Sequence, residues 1–174
     1  MASGQNRSPI TFQELTDEEN MTVDKNFGEL STVKDLVRTV PRSVTLSRSF
    51  MTNMERLMTI PIRPSDVWVV TPPKCGTMWL KEMTWLIMNE ADLDGMDIPL
   101  LQRSPFIDFP MIVNMKEELV EKAFDDLENM PSPRLINTHL PFDLLPPNLV
   151  NVCKFIFCCR KITDAAVSFT TRDS

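Results

Sequence analysis

Apolar residues recur at helical spacing in several parts of the chain. Over residues 31–40 and 43–58 this spacing predicts two helices, which Pro41 and Pro61 bring to an end. The same periodicity predicts helices over three later segments, namely 77–90, 116–129 and 163–170. Residues 91–115 are rich in Pro and Asp and are predicted to form a loop.

Short apolar runs between the predicted helices have the length and composition of buried strands. They comprise DVWVVT (66–71), RLINT (134–138) and CKFIFCC (153–159). Strands that alternate with helices predict an α/β fold, with three α/β/α layers and a parallel sheet of nucleotide-binding type. A chain of 174 residues is long enough for one such domain with a modest core.

The first thirty residues differ from the rest of the chain. Residues 1–30 are polar and acidic, and they show no sustained hydrophobic period. They are predicted to be a loosely ordered arm, followed by one domain over 31–174. No linker, internal repeat or low-complexity tract divides that domain in the sequence.

Charge and cysteine content narrow the classes of function. The formal net charge of -6 and the scattered Lys and Arg residues argue against nucleic acid as a partner. The four cysteines form no C-x-x-C pair, so neither a disulfide framework nor a zinc site is expected, and no metal is predicted. The sequence shows no signal peptide and no apolar segment of membrane length, which predicts a cytoplasmic protein without a membrane partner.

Three polar side chains each follow the end of a predicted strand, namely Lys74, His139 and Arg160. Ligands of parallel sheets bind beyond the carboxyl ends of the strands, so these segments are expected to meet at one edge. The loop 72–77 leads into a helix whose first amides can face an anion, while Lys74 adds a charge and Gly76 allows close approach. The alternative is an ordinary strand–helix turn with a solvent-facing lysine.

Several segments match the motifs of one family in order. TPPKCGTMW (71–79) resembles the 5′-phosphosulfate loop of the cytosolic sulfotransferases, T-[YL]-P-K-[SC]-G-T-[TS]-W, and its cysteine is similar to arthropod members. SPRLINTHLP (132–141) resembles S-P-R-x-x-K-T-H-L-P, and RKITDAAVS (160–168) resembles R-[NK]-x-x-D-x-[AV]-V-S. RSPFIDF (103–109) is similar to the acceptor-pocket segment. The resemblance covers about residues 30–170 and corresponds to the N-terminal half of the family.

The resemblance implies a sulfotransferase fold that moves a sulfuryl group from 3′-phosphoadenosine 5′-phosphosulfate to a hydroxyl, phenol or amine of a small acceptor. It implies His139 as general base and Lys74 as the cation beside the leaving phosphate. Further residues implied at the donor are Cys75, Gly76, Thr77, Met78, Trp79, Arg160 and Ser168, with Trp79 on the adenine and the last two at the 3′-phosphate. The acceptor, an apolar alcohol or phenol, would contact Phe106, Phe109 and Asn137.

Two residues depart from the family pattern. Met78 replaces a Thr or Ser, which removes a hydroxyl from the donor phosphate and is expected to weaken donor binding. Asn137 replaces a lysine, which removes a positive charge beside the transferring group and is expected to slow turnover. The family's R-K-G loop and dimer motif come after the segment matched here, so an incomplete donor pocket is expected and a homodimer stays open.

Two other functions compete with the enzyme. A catalytically inactive relative that binds a nucleotide or regulates through a ligand would fit Met78, Asn137 and the short chain. A phosphatase-like nucleophile at Cys75 would use the low pKa of thiols at helix N-termini. That loop requires Arg six positions after the cysteine, where this chain has Lys81.

Overall fold

The computed structural model describes residues 9–27 and 35–170. Its strands are β1 (Thr11–Glu14), β2 (Leu36–Val40), β3 (Thr45–Ser47), β4 (Val67–Val70), β5 (Leu135–Thr138) and β6 (Lys154–Phe157). Its helices are α1 (Asp17–Phe27), α2 (Ser49–Thr59), α3 (Thr77–Met88), α4 (Leu100–Arg103), α5 (Phe109–Ile112), α6 (Glu117–Asn129), α7 (Leu149–Val152) and α8 (Ile162–Thr170), with a 3₁₀ turn at Phe142–Leu144. From β4 onward, helices follow strands as in α/β folds.

The strands form two separate sheets. β1, β2 and β3 pair antiparallel in that order, whereas β4 lies between β5 and β6 in a parallel sheet. In the parallel sheet Val69 is level with Asn137, and Val70 is level with Thr138 and Phe157. The carboxyl ends of β4, β5 and β6 therefore meet at one edge of the sheet, as the sequence predicted.

The parallel sheet separates two helical layers. On one face, Trp68 and Ile136 pack into the main core against Leu57 of α2 and Phe124 of α6, all at most 2% exposed. Side chains alternate between the two faces along each strand, so Asn137, the residue after Ile136, lies on the opposite face. Helix α3 contacts β4 and β5 but contributes no side chain to the main core, so it covers this second face. The layers confirm the predicted α/β/α architecture.

A buried ion pair joins the starts of β4 and β5, at the end of the sheet away from the ligand edge. Arg134 Nε donates to Asp66 at 2.9 Å, and the two side chains are 1% and 0% exposed. Arg134 also donates to the carbonyl oxygens of Leu127 at 3.0 Å and Pro61 at 2.7 Å. Because its charge and its N–H groups are satisfied here, the arginine of the S-P-R motif has a structural role.

The structure differs from the predicted loose arm within residues 9–27. β1 pairs with β2 along its length, and α1 begins with a reciprocal pair in which Thr16 N donates to Glu19 at 2.9 Å and Glu19 N donates to Thr16 Oγ1 at 3.3 Å. A salt bridge of 2.6 Å from Glu19 to Arg38 of β2 fixes the helix against the sheet. The rest of 1–30 lies outside the described residues, and one domain over 31–174 stays a prediction.

The predicted helix over 31–40 was wrong for residues 36–40, which form β2; residues 31–34 lie outside the described part. Val37 and Thr39 alternate with more exposed neighbours, and β2 is paired on both sides. Pairing on both sides outweighs the weaker helical period in so short a segment. The second predicted helix, over 43–58, is shortened because Thr45–Ser47 joins β2 as β3.

The later predictions are confirmed in element type. The predicted helices over 77–90, 116–129 and 163–170 correspond to α3, α6 and α8, and the three predicted strands correspond to β4, β5 and β6. Burial differs in β6, where Phe155 and Phe157 are exposed although a buried strand was predicted. The loop 91–115 contains two one-turn helices, α4 and α5.

Candidate active site

The connection from β4 to α3 forms an open loop at the ligand edge. Lys74 and Gly76 have left-handed backbone conformations, with φ of 63° and 88°. A Cβ on Gly76 would meet no atom within 4 Å, so space is free beside the loop, while the positive φ favours glycine. Helix α3 begins at Thr77 without a side-chain cap, so its first amides have no partner within the helix.

The loop carries positive polarity. The first turn of α3 contains no acidic residue, and a helix N-terminus attracts negative charge. Lys74 is half-buried in the loop, and Thr77 offers a hydroxyl, whereas exposed Met78 offers none. The chemistry of these groups fits a phosphate or sulfate group.

Two short hydrogen bonds join this loop to His139. Thr71 Oγ1 and Thr77 Oγ1 lie 2.6 Å apart, and the Thr71 carbonyl oxygen lies 2.6 Å from His139 Nδ1. Because a carbonyl oxygen only accepts, Nδ1 carries the proton, and Nε2 is the basic nitrogen of the neutral ring. The His139 main-chain N–H donates to Asp108 Oδ2 at 2.9 Å. The imidazole is therefore held in one tautomer.

The pKa values on this side of the site follow from burial. Burial lowers the pKa of His139 below 6.5, the Lys81 cation lowers it further, and the bond to the Thr71 carbonyl works in the opposite direction. His139 is therefore neutral at pH 7 and able to accept a proton. Burial raises the pKa of Asp108 to about 7, against hydrogen bonds from backbone groups including the His139 amide.

The predicted acceptor residues lie beside His139. The Phe106 ring meets the imidazole edge-on, with centroids 4.5 Å apart, and the Phe109 ring is 5.7 Å from Phe106. Asn137 N donates to the Pro105 carbonyl at 3.0 Å, which places this segment against β5. The side-chain amide of Asn137 is buried, and neither its nitrogen nor its oxygen has a partner among the described residues.

The segment after β6 reaches the donor loop through a cysteine. Cys158 Sγ lies 3.5 Å from the Cys75 carbonyl oxygen, so the chain passes next to the loop directly after β6. Arg160 is exposed there, and Ser168 is half-buried in α8. Within residues 9–27 and 35–170 no hydrogen bond joins Arg160 to Ser168, so their common role at a phosphate stays a prediction.

The tryptophans separate into exposed and packed side chains. Trp79, one residue past Met78 in the first turn of α3, is 78% exposed and is therefore not a core residue. Trp68 is fully buried in the core, and Trp85 packs under Arg103 with 4.4 Å from its guanidinium carbon to the ring centroid. Cys75 is only 6% exposed, so its thiol is not presented as a phosphatase nucleophile would be.

Sequence reasoning did not single out three groups of this site: Thr71, Asp108 and Lys81. Thr71 acts on His139 through its carbonyl, which no residue pattern reveals. Asp108 lies in the quoted segment RSPFIDF, and a carboxylate between the apolar residues Ile107 and Phe109 was a usable signal. Lys81 stands four residues after Thr77 on the inner face of α3, a position where a charged residue is unusual.

The described residues also bear on metal binding and on membrane insertion. In the described ranges, His, Cys, Asp and Glu side chains form no group of three or more that could hold a metal ion. Helices in the same ranges are too short or too polar to cross a bilayer.

The parallel sheet, its covering helices and the β4–α3 loop define an α/β protein of the nucleotide-binding type. The family model described as sulfotransferase domain matches residues 64–173. The chain therefore belongs to the sulfotransferase family, which the motifs predicted.

Individual relatives support this assignment. The chain is 35% identical over 128 residues to sulfotransferase 1C2 of Oryctolagus cuniculus, a match that covers 72% of this chain and 41% of the relative. It is 36% identical over 118 residues to sulfotransferase 4A1 of Homo sapiens, covering 67% of this chain and 38% of that protein. The crystal structure of retinol dehydratase in a complex with retinol and PAP superposes with a TM-score of 0.83 at 26% identity, over 94% of this chain and 55% of that one. The chain thus spans about two fifths of the length of these curated relatives.

Proposed function

We propose that this chain carries the donor loop and the general base of a sulfotransferase that uses 3′-phosphoadenosine 5′-phosphosulfate. The observation that carries the proposal is the bonded series from Thr77 through Thr71 to His139, because it joins an anion-binding loop to an imidazole fixed in its basic tautomer. A donor anion and a proton acceptor placed this close together suit group transfer.

On the donor side, Lys74 and the first amides of α3 would hold the 5′-phosphosulfate. The space beside Gly76 admits the anion, and Thr77 Oγ1 adds a hydrogen bond. The exposed ring of Trp79 is available to stack on adenine, and Arg160 with Ser168 would bind the 3′-phosphate. Cys75 contributes its backbone, and Met78 contributes no hydroxyl.

The chemistry supplied by the donor is a sulfuryl group whose bond to the phosphate oxygen breaks as a bond to the acceptor oxygen forms. His139 Nε2 takes the acceptor proton, and the Thr71 carbonyl holds the ring while it becomes charged. Lys74 neutralises the charge that develops on the leaving phosphate, and it does so best when it is fixed before the reaction.

The acceptor is proposed to be a small apolar alcohol or phenol. Phe106 packs on His139, and Phe109 packs on Phe106. The apolar part of the acceptor would contact these two rings while its hydroxyl group lies at His139. Solved structures of retinol dehydratase contain retinol or androsterone, which are apolar molecules with a hydroxyl group. A cytoplasmic location and the possibility of a homodimer are carried over from the family resemblance as parts of the proposal.

Calorimetric titration of the chain with 3′-phosphoadenosine 5′-phosphate tests the donor site. We expect saturable binding that Lys74→Ala and Arg160→Ala each remove or weaken strongly. Lys161→Ala is the matched control, since it removes an exposed positive charge next to Arg160. Equal weakening by all three variants would show general charge attraction, and absence of binding by the folded chain would contradict the proposed enzyme.

A further inference from the structure

Lys81 is a buried cation to which the proposed mechanism has given no part. The residue is 1% exposed, although lysine is almost never fully buried without a partner. Its acidic neighbour Glu82 is engaged by Arg103 through two bonds of 2.9 Å each. In the part of the chain that the structure describes, no hydrogen bond or salt bridge is formed by the Lys81 ammonium. An unpaired buried charge is costly, and an anionic ligand would relieve it.

The position of Lys81 places its side chain on the layer that contains the site. Lys81 follows Thr77 by one helical turn, and with Thr84 it forms the buried face of α3. That helix covers the sheet face on which Asn137 stands, and α3 contacts β5. His139 lies two residues after Asn137 and, by strand alternation, on the same side. The electrostatic effect of Lys81 on His139 agrees with this placement.

Asn137 is the second unsatisfied group on this face. It occupies the position where the family has lysine, and its buried amide has no partner on either atom among the described residues. A cation is thus missing from β5, while an unpaired cation is present on the helix that faces β5.

We propose that Lys81, reaching from α3, supplies the positive charge of the reacting centre that the family supplies from position 137. This inference rests on the proposed function, since the charge would act on the sulfuryl group as it leaves the donor. A fixed ammonium in a water-poor site stabilises negative charge on the transferring oxygens more strongly than one in solvent.

The protonation states fit this role. Burial lowers the pKa of Lys81 to about 8, which leaves the amine largely charged at pH 7. The titratable groups that face His139 are Lys81 from α3 and Asp108 from the segment before α5, while the ion pair of Glu82 and Arg103 acts on Lys81. The positive charge of Lys81 also disfavours protonation of the imidazole, which therefore stays neutral and able to accept a proton.

The first test follows His139 by NMR as the pH is changed. The chain contains one histidine, so a 13C label in histidine gives one imidazole signal for the folded protein. We expect Lys81→Met to raise the pKa of His139 and the double variant Lys81→Met/Asn137→Lys to lower it again. Lys161→Met, the same change on an exposed lysine, should leave the titration unmoved.

The second test measures transfer of sulfate to a phenol. Lys81→Met should lower kcat by about 10²- to 10³-fold, the range for loss of one group that stabilises developing negative charge, with the Kd for 3′-phosphoadenosine 5′-phosphate unchanged. Asn137→Lys in the Lys81→Met background should restore much of the rate. The Tm of Lys81→Met should rise, because an unpaired buried charge has been removed.

The outcomes separate the two proposals. A folded chain that does not bind the nucleotide contradicts the proposed function. An unmoved His139 titration together with a lower Tm in Lys81→Met overturns the proposal for Lys81, since it would then be a packing residue. If Lys81→Met does not fold, the His139 titration is repeated on Lys81→Gln, which has a polar, uncharged side chain. An unchanged pKa of His139 in that variant also overturns the proposal.

Discussion

The two sides of the candidate site differ in how much the protein builds before any ligand binds. On the base side, Asp108 and Asn137 are fully buried, and His139 is fixed through its ring and its amide. On the donor side, Trp79 and Arg160 are exposed, and Gly76 borders open space. The proposed base is therefore held by packing in the free protein, whereas the proposed donor site would depend on exposed groups that order when the nucleotide binds.

The largest effect is expected at the base. His139→Gln should lower the rate of acceptor sulfation by about 10²- to 10⁴-fold, because it removes the proton acceptor. The affinity for 3′-phosphoadenosine 5′-phosphate should stay within about twofold, since the nucleotide would bind to the other side of the site. Initial rates at saturating donor and calorimetry on the same samples measure both. A matching loss of nucleotide affinity would erase the distinction between the two sides.

The buried ion pair at the opposite end of the parallel sheet is expected to show a large effect on stability. Asp66→Ala leaves Arg134 as an uncompensated buried charge, so the free energy of unfolding should fall by about 3–5 kcal/mol. Urea unfolding followed by tryptophan fluorescence measures this change. Asp126→Ala, which removes the exposed pair with Lys122, is the control and should cost about 0.3–0.5 kcal/mol. Equal losses in the two variants would contradict the structural role of the buried pair.

Asp108 should make stability depend on pH. Its folded-state pKa of about 7 lies above the ordinary 3.8, so folding favours the protonated form. This contribution is fully present below about pH 4 and is lost as the pH rises through 7. Between these limits, the wild-type unfolding free energy should fall by up to about 4 kcal/mol more than that of Asp108→Asn, which does not titrate. Parallel pH curves for the two proteins would show that the carboxyl is ionised throughout.

The smallest effect is expected on the donor side. Trp79→Ala should weaken binding of 3′-phosphoadenosine 5′-phosphate by about 1–3 kcal/mol through loss of stacking on the base. The free energy of unfolding of Trp79→Ala should differ from that of the wild type by less than about 0.5 kcal/mol, because the ring is exposed. Ile87→Ala, an exposed apolar residue later in α3, is the matched control for calorimetry and unfolding. Unchanged affinity in Trp79→Ala would place the adenine elsewhere.

The elements that the sequence predicted correctly are those whose signals are local. β4, its loop and α3 follow from an apolar run, a glycine turn and a strong helical period, all within residues 66–90. β2 was predicted to be helical because its strand character comes from pairing with β3, across the short turn after Val40, and with β1, which precedes α1 in the chain. Local pattern cannot report a partner that only the fold supplies.

The same distinction applies to the candidate site. Lys74 and His139 were predicted as site residues because they stand in motifs at strand ends. Lys81 was overlooked because a charged residue in a helix is expected to face water, and its burial depends on how α3 packs on the sheet. Asp108 gains its raised pKa only from complete enclosure, which its neighbours in sequence do not reveal.

The contact that selects the tautomer of His139 comes from a main-chain carbonyl, that of Thr71. Replacing the Thr71 side chain would leave that oxygen in place, so an alanine scan would not detect an atom on which the proposed base depends. The position of this carbonyl oxygen is set by the path of the backbone at the end of β4. Selection can therefore act on it only through residues that hold that path, and variation at Thr71 alone is a poor measure of its importance.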